Sequence, residues 1–157
     1  MKQRGFLSAG LTQYITVLSL LSILIIPPLG RYASHQIKAW QIQEIIERVF
    51  ELSREHYAKS VLISRCLAQT DLDMPAINMN ANQDGIVIDV SYQQSGVHRA
   101  PPSGIRVSVR FTEPKFYALK NWLKPDEISG MTMRFYAPLS YSLPDWQELN
   151  IATGCIK

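Results

Sequence analysis

Few residues in this chain are spaced so that they could do chemistry together. Cys66 and Cys155 are its two cysteines. Joined, they would close a loop of about 90 residues, worth on the order of 4–5 kcal/mol in the chain-entropy account. Left apart, they are two buried thiols. A bridge presupposes an oxidising compartment, and the apolar N-terminus described below favours it. Asn80, Asn82, Asp84 and Gly85 set oxygen ligands at alternate positions before a glycine, as at the start of a calcium loop. The last position of such a loop would be Ser91 instead of glutamate, and Asp84 alone of the first three ligands is charged. A turn built on Asp84-Gly85 accounts for the same residues, so no metal is expected. His35, His56 and His98 are widely spaced and fall in no Cys/His metal pattern. No nucleophile elbow, phosphate loop or dinucleotide fingerprint occurs. No catalytic residue, cofactor or enzymatic activity is expected.

Arg99, Arg106, Arg110, Lys115, Lys120 and Lys124 form a basic run opposed locally by Glu113. With Tyr92, Phe111, Phe116 and Tyr117 nearby, such a run could track a single nucleic-acid strand. The charge balance favours a plain solvated strand face. The whole chain carries a formal net charge of +3, and from Asp71 to Lys157 eight basic residues face nine acidic ones. Nucleic acid is therefore not an expected partner. Part of the basic excess sits at Lys2, Arg4 and Arg31, around the N-terminal apolar run.

That run extends from Gly5 to Gly30, 26 residues without a formal charge. At a rise of about 1.5 Å per residue, a helix of this length crosses a hydrocarbon core of about 30 Å. It admits three readings. A cleaved secretory signal would need a shorter core and a small-x-small site, and Pro27 to Ala33 supplies no clean one. An uncleaved anchor needs only a positive leader held in the cytoplasm, though Arg31 and Lys38 weaken the charge bias. The third reading starts from Lys2-Gln3-Arg4-Gly5-Phe6, a short basic leader ending in Gly-Phe directly before the apolar helix.

This arrangement resembles the class III signal of type IV pilins and of the pseudopilins of type II secretion. The resemblance covers roughly residues 1–66. It implies a prepilin peptidase that cuts between Gly5 and Phe6 and methylates the new N-terminal phenylalanine. It further implies a helix bend at Pro27, sharpened by Pro28, since proline withholds a backbone donor. The family usually carries a glutamate at the fifth mature position, which pairs with a neighbour's terminal amine. Here that position is Gly10. A buried amine lacking its carboxylate is costly, which points to a minor subunit placed at a filament end.

After the apolar run, Ser34 is the expected N-cap of an amphipathic continuation to about Gln69. Ile37, Trp40, Ile45, Val49, Leu52, Val61 and Leu62 form its expected apolar stripe, with Glu44–Arg48 and Glu55–Lys59 as favourable pairs. A polar connector leads to strands at 86–92, 105–111 and 130–138, with a short helix at 114–123 and an irregular tail from Leu143. The strand at 105–111 alternates cleanly, Ile, Val, Val and Phe against Arg106, Ser108 and Arg110.

The expected fold is α+β, a long N-terminal helix packed on a small antiparallel sheet, as in pilins. Its segments are a leader at 1–5, a membrane or filament-core helix at 6–30, an amphipathic continuation at 31–70 and a sheet head at 71–157. The resemblance implies a structural subunit of a type IV pilus or type II secretion-type filament, with sister pilins, an assembly platform and the prepilin peptidase as partners. It places the chain in the inner membrane with its N-terminus cytoplasmic and its head periplasmic. The alternative is an unprocessed, membrane-anchored periplasmic binding or assembly module.

Overall fold

In the computed structural model, residues 4–69, 71–83, 85–96, 99–140, 149–150 and 152–156 are described. The chain divides into two units, Met1–Ala39 and Trp40–Lys157. Helix α1 (Arg4–Ser64) has 61 residues and runs from the first unit into the second. Pro27 and Pro28 lie inside it. Neither can donate to the carbonyl four residues back, at Ile23 and Leu24, yet both fix φ near the helical value and the helical assignment continues through them. Ser34 is therefore an interior residue, and no second helix starts there. The helix stops at Ser64, short of Gln69, where Arg65 takes a left-handed φ of 55° and its amide donates to the Val61 carbonyl at 2.8 Å.

Within the second unit, α1 buries Ile42, Ile46, Val49, Ser53 and Tyr57. Their spacing of three and four keeps them on one side of the helix. Ser53 is the one buried polar side chain there, and its hydroxyl donates to the Val49 carbonyl at 2.6 Å. The expected stripe is thus corrected: Val49 is buried, but Trp40 is 66% and Leu62 80% exposed. The ion pairs shift as well. Arg48 bonds Glu51 at 2.8 Å instead of Glu44.

The sheet is antiparallel and five-stranded, in the order β1-β2-β3-β5-β4. Its strands are β1 (Asn82–Gln83), β2 (Ile86–Gln93), β3 (Gly104–Phe111), β4 (Glu127–Ser129) and β5 (Thr132–Pro138). Ile86, Ile88, Val90 and Tyr92 of β2 face the core beside Ile105, Val107, Val109 and Phe111 of β3, with Met133 and Phe135 of β5. This is the period-2 pattern of a sheet wet on one face. The Tyr57 and Tyr92 rings meet edge to face at 5.7 Å, so α1 packs on this inner face. The α+β class and the helix-on-sheet arrangement follow directly.

Between β3 and β4, the expected single helix is split. A 3-10 segment (Pro114–Leu119) turns into α2 (Lys120–Leu123), and the two bury Leu119 and Leu123. The strand expected at 130–138 is β5, and a further short strand, β4, precedes it. Ser129 pairs with Thr132 across a two-residue turn, where Gly130 has a φ of +58°.

The tail is a small hairpin of β6 (Leu149–Asn150) and β7 (Cys155–Ile156), so the end of the chain is not wholly irregular; residues 141–148 lie outside the described ones. Cys66 and Cys155 are bonded, with Cα atoms 3.7 Å apart and a separation of 89 positions in sequence. Flanking backbone bonds extend this junction: Leu67 N–H to Gly154 O at 2.8 Å and Ile156 N–H to Arg65 O at 2.7 Å. Gly154 is fixed twice over, by a φ of +70° and by the Arg99 carbonyl 2.6 Å from where a Cβ would stand. Replacing it with alanine should cost about 1–3 kcal/mol through backbone strain. The paired change Cys66→Ala with Cys155→Ala should cost on the order of 4–5 kcal/mol. Urea unfolding of each variant against the parent checks both, with the cysteine pair losing more.

Candidate functional site

The first candidate surface is the opening half of α1. Leu11, Tyr14, Ile15, Val17, Leu18, Leu20, Leu21, Ile23, Leu24, Ile25 and Ile26 are all exposed. Their positions surround the helix instead of marking one stripe, which is the pattern of a helix that lies in lipid or among other helices. Its hydroxyls are satisfied locally: Thr16 donates to the Thr12 carbonyl at 2.8 Å and Ser22 to the Leu18 carbonyl at 2.9 Å. Such back-bonding lets a polar residue sit in apolar surroundings. Among the described residues, this one helix is long and apolar enough to cross a membrane.

Gly5 and Phe6 fall in the first turns of that helix, while Met1, Lys2 and Gln3 of the leader lie outside the described residues. The space beside Gly10 is open, with nothing within 4 Å of an added Cβ. Packing within the chain therefore does not impose the missing carboxylate. The expected site residues are divided between the two units. Gly5, Phe6, Pro27 and Pro28 belong to the first unit, Cys66 and Cys155 to the second.

Several residues of the basic run make contacts within the head. Arg99 donates to the Ala152 carbonyl at 2.7 Å and holds the terminal hairpin. Lys115 pairs with Glu113 at 2.6 Å, and Lys120 lies 4.4 Å from the Tyr117 ring centre. Arg106 and Arg110 point outward from β3, where Arg106 donates to the Ser91 hydroxyl at 3.1 Å. The described residues on either side of position 84 pair as β1 and β2. The Asn80 side chain accepts from the Asn82 amide at 3.1 Å, Gln83 pairs with Ile86, and Gly85 has a φ of +84°. Asp84 lies outside the described residues, as does His98.

The clefts of the head bring together residues that sequence spacing did not group as sites. A cavity of about 680 Å³ is bounded by His56, Ser60, Gln69, Asp71, Leu72, Asp73 and Ala76. Its polar groups already serve the fold: Asp73 accepts from the Ala76 amide at 2.8 Å, and Gln69 donates to the Cys66 carbonyl at 2.7 Å. A second concavity, of about 270 Å³, lies between Trp40, Gln43, Glu44 and Glu47 on the solvent side of α1. The only available signal for it is helical spacing, which places these four on one exposed side.

Compared with known protein families, curated proteins and solved structures, the chain matches none.

Tyr92 and Tyr136 both have raised pKa values. Tyr92 is 5% exposed with its hydroxyl 3.2 Å from His56 Nδ1, and burial pushes its pKa up to about 12. On the open face, a hydrogen bond to Glu127 raises Tyr136, while Tyr136 first and Arg134 second hold the Glu127 carboxyl below its usual range. A phenol whose folded pKa lies above its unfolded value of about 10 stabilises fully below that pH and loses the contribution as pH rises toward 12. Stability should therefore fall between pH 10 and 12, and Tyr92→Phe should flatten that fall. Chemical denaturation at stepped alkaline pH reads it out.

Proposed function

We propose that this chain is a minor pilin or pseudopilin-like subunit of a type IV pilus or type II secretion-type filament. The observation that carries the reading is the division of labour along one helix. Its first half leaves apolar residues uncovered on every side, and its second half is packed on a disulfide-closed antiparallel sheet. A soluble domain does not leave such a surface open to water. The fold is compatible with a pilin-like, membrane-anchored subunit, and the Gly5-Phe6 junction supplies the processing step such a subunit requires.

In this reading, the short cationic leader stays in the cytoplasm, the apolar helix lies in the inner membrane and the head faces the periplasm. That compartment is oxidising enough to keep Cys66 and Cys155 joined. Prepilin peptidase removes Met1 to Gly5 and methylates Phe6. The helix then leaves lipid for a bundle of sister helices on the assembly platform. The exchange is close to neutral in hydrophobic terms, because one apolar environment replaces another. Gly10 places the subunit where no neighbour's amine needs a carboxylate, at a filament end.

Intact mass of the protein from its native membrane tests the reading. The expected result is loss of Met1 to Gly5 with one methyl group added. Gly5→Leu should leave the leader in place. An N-terminus still at Met1 in the parent would instead identify an unprocessed single-pass anchor bearing a periplasmic binding or assembly module.

A further inference from the structure

In the second unit, the side of α1 turned away from the sheet is not an ordinary solvated face. Taking helical positions at about 3.6 residues per turn, Trp40, Glu44, Glu47, Glu51, Glu55 and Leu62 fall within one sector, opposite Ile42, Ile46, Val49, Ser53 and Tyr57. Trp40 is 66% exposed and borders the concavity of about 270 Å³ shared with Gln43, Glu44 and Glu47. An indole face beside two carboxylates is a receptor for a cation, above all for a guanidinium, which stacks on the ring and bonds the carboxylates.

The same head carries the matching groups on its other outer layer. Arg106 and Arg110 project from β3 on the sheet face turned away from α1, and both are exposed. Arg106 spends its bonds on the neutral Ser91 hydroxyl. Four residues of strand separate the two arginines by about 13 Å. Eight residues of helix separate Glu47 from Glu55 by about 12 Å. The spacings agree, so one guanidinium seated beside Trp40 leaves the other within reach of the acidic positions further along the ridge. Because the helix ridge and the outer sheet face lie on opposite sides of a two-layer head, a chain cannot bring its own arginines to its own ridge. A second copy can.

We infer that two heads of this chain associate head to tail, with Arg110 of one copy in the Trp40–Glu44–Glu47 concavity of the next and Arg106 on Glu55, since Glu51 is held by Arg48 of its own helix. The contact joins unlike surfaces and so leaves one of each open at either end of the pair. It requires neither leader cleavage nor a filament, and it stands or falls separately from the proposed function.

The test uses the full chain, purified in mild detergent as two differently tagged forms and scored by co-elution. Parent copies should co-elute, and the yield should fall as salt rises from 0.05 to 0.5 M, over which range screening of exposed charges increases strongly. Glu44→Lys with Glu47→Lys should cut self-association by about tenfold, as should Arg106→Glu with Arg110→Glu; each is a change of about 1.4 kcal/mol. Mixing the two charge-reversed forms should restore it. Trp40→Ala, which leaves every charge in place, should weaken it several-fold. Circular dichroism confirms that each variant folds, since all the altered side chains are exposed. Parent copies that do not co-elute, reversed forms that associate like the parent, or a mixture that fails to recover would each overturn the contact.

Discussion

One constraint governs this molecule: a helix has two neighbours to satisfy, and one sequence must serve both. Along its first half, α1 is apolar on all sides, with its large side chains from Leu11 to Ile26 exposed among the described residues. Along its second half, one side is sealed by the sheet through Ile42, Val49 and Tyr57. Backbone hydrogen bonding makes this economical. A helix meets its own donors and acceptors wherever it goes, in lipid, in water or against β-strands, so only the side chains need to change along its length. The prolines are tolerated for the same reason. Pro27 and Pro28 leave the carbonyls of Ile23 and Leu24 without their usual donors, a local loss that does not reach the ladder on either side.

The head answers a different demand. Its sheet is small, with two short edge strands of two and three residues, and α1 and the loops cover one face of it. The Cys66–Cys155 bond links the end of the helix to the end of the chain, across a separation of 89 positions in sequence. Most of the second unit therefore lies inside one covalent loop. Closure of that kind acts mainly on the unfolded ensemble. It stabilises every part of the head together without adding core, which suits a domain too small to bury much more.

Much of this was legible in the residues. Ile105, Val107, Val109 and Phe111 alternate so strictly with Arg106, Ser108 and Arg110 that both the strand and its buried face can be read directly. The turn at Gly85 and the length of the apolar run are equally plain. The buried side of α1 was not legible, for a physical reason. Between Trp40 and Leu62, apolar residues occur on both sides of the helix, so hydrophobicity fixes the period but not the phase. The core side includes Ser53, hidden only because its hydroxyl bonds backward to Val49, and Tyr57, whose hydroxyl donates to the Leu67 carbonyl at 2.9 Å. The expected apolar stripe included neither. Strand β4 was missed for want of length: Glu127–Ser129 carries no pattern of its own and exists because Gly130 folds it back on Thr132.

The misassigned side of α1 is informative in itself. Apolar residues that no intramolecular core claims are normal when scattered singly. Trp40 is different, because it stands with Glu44 and Glu47 around a common hollow. An indole loses little by facing water beside carboxylates when a cation can take the water's place, and a large aromatic surface immobilised on a rigid helix costs little entropy to bury later. The same logic applies to Arg106 and Arg110, held in extended register by the pairing of β3 with β2 and β5. Both surfaces are built on regular secondary structure and stay exposed in the fold that presents them. The residues that frustrate a reading of the core are those the head has left for something outside it.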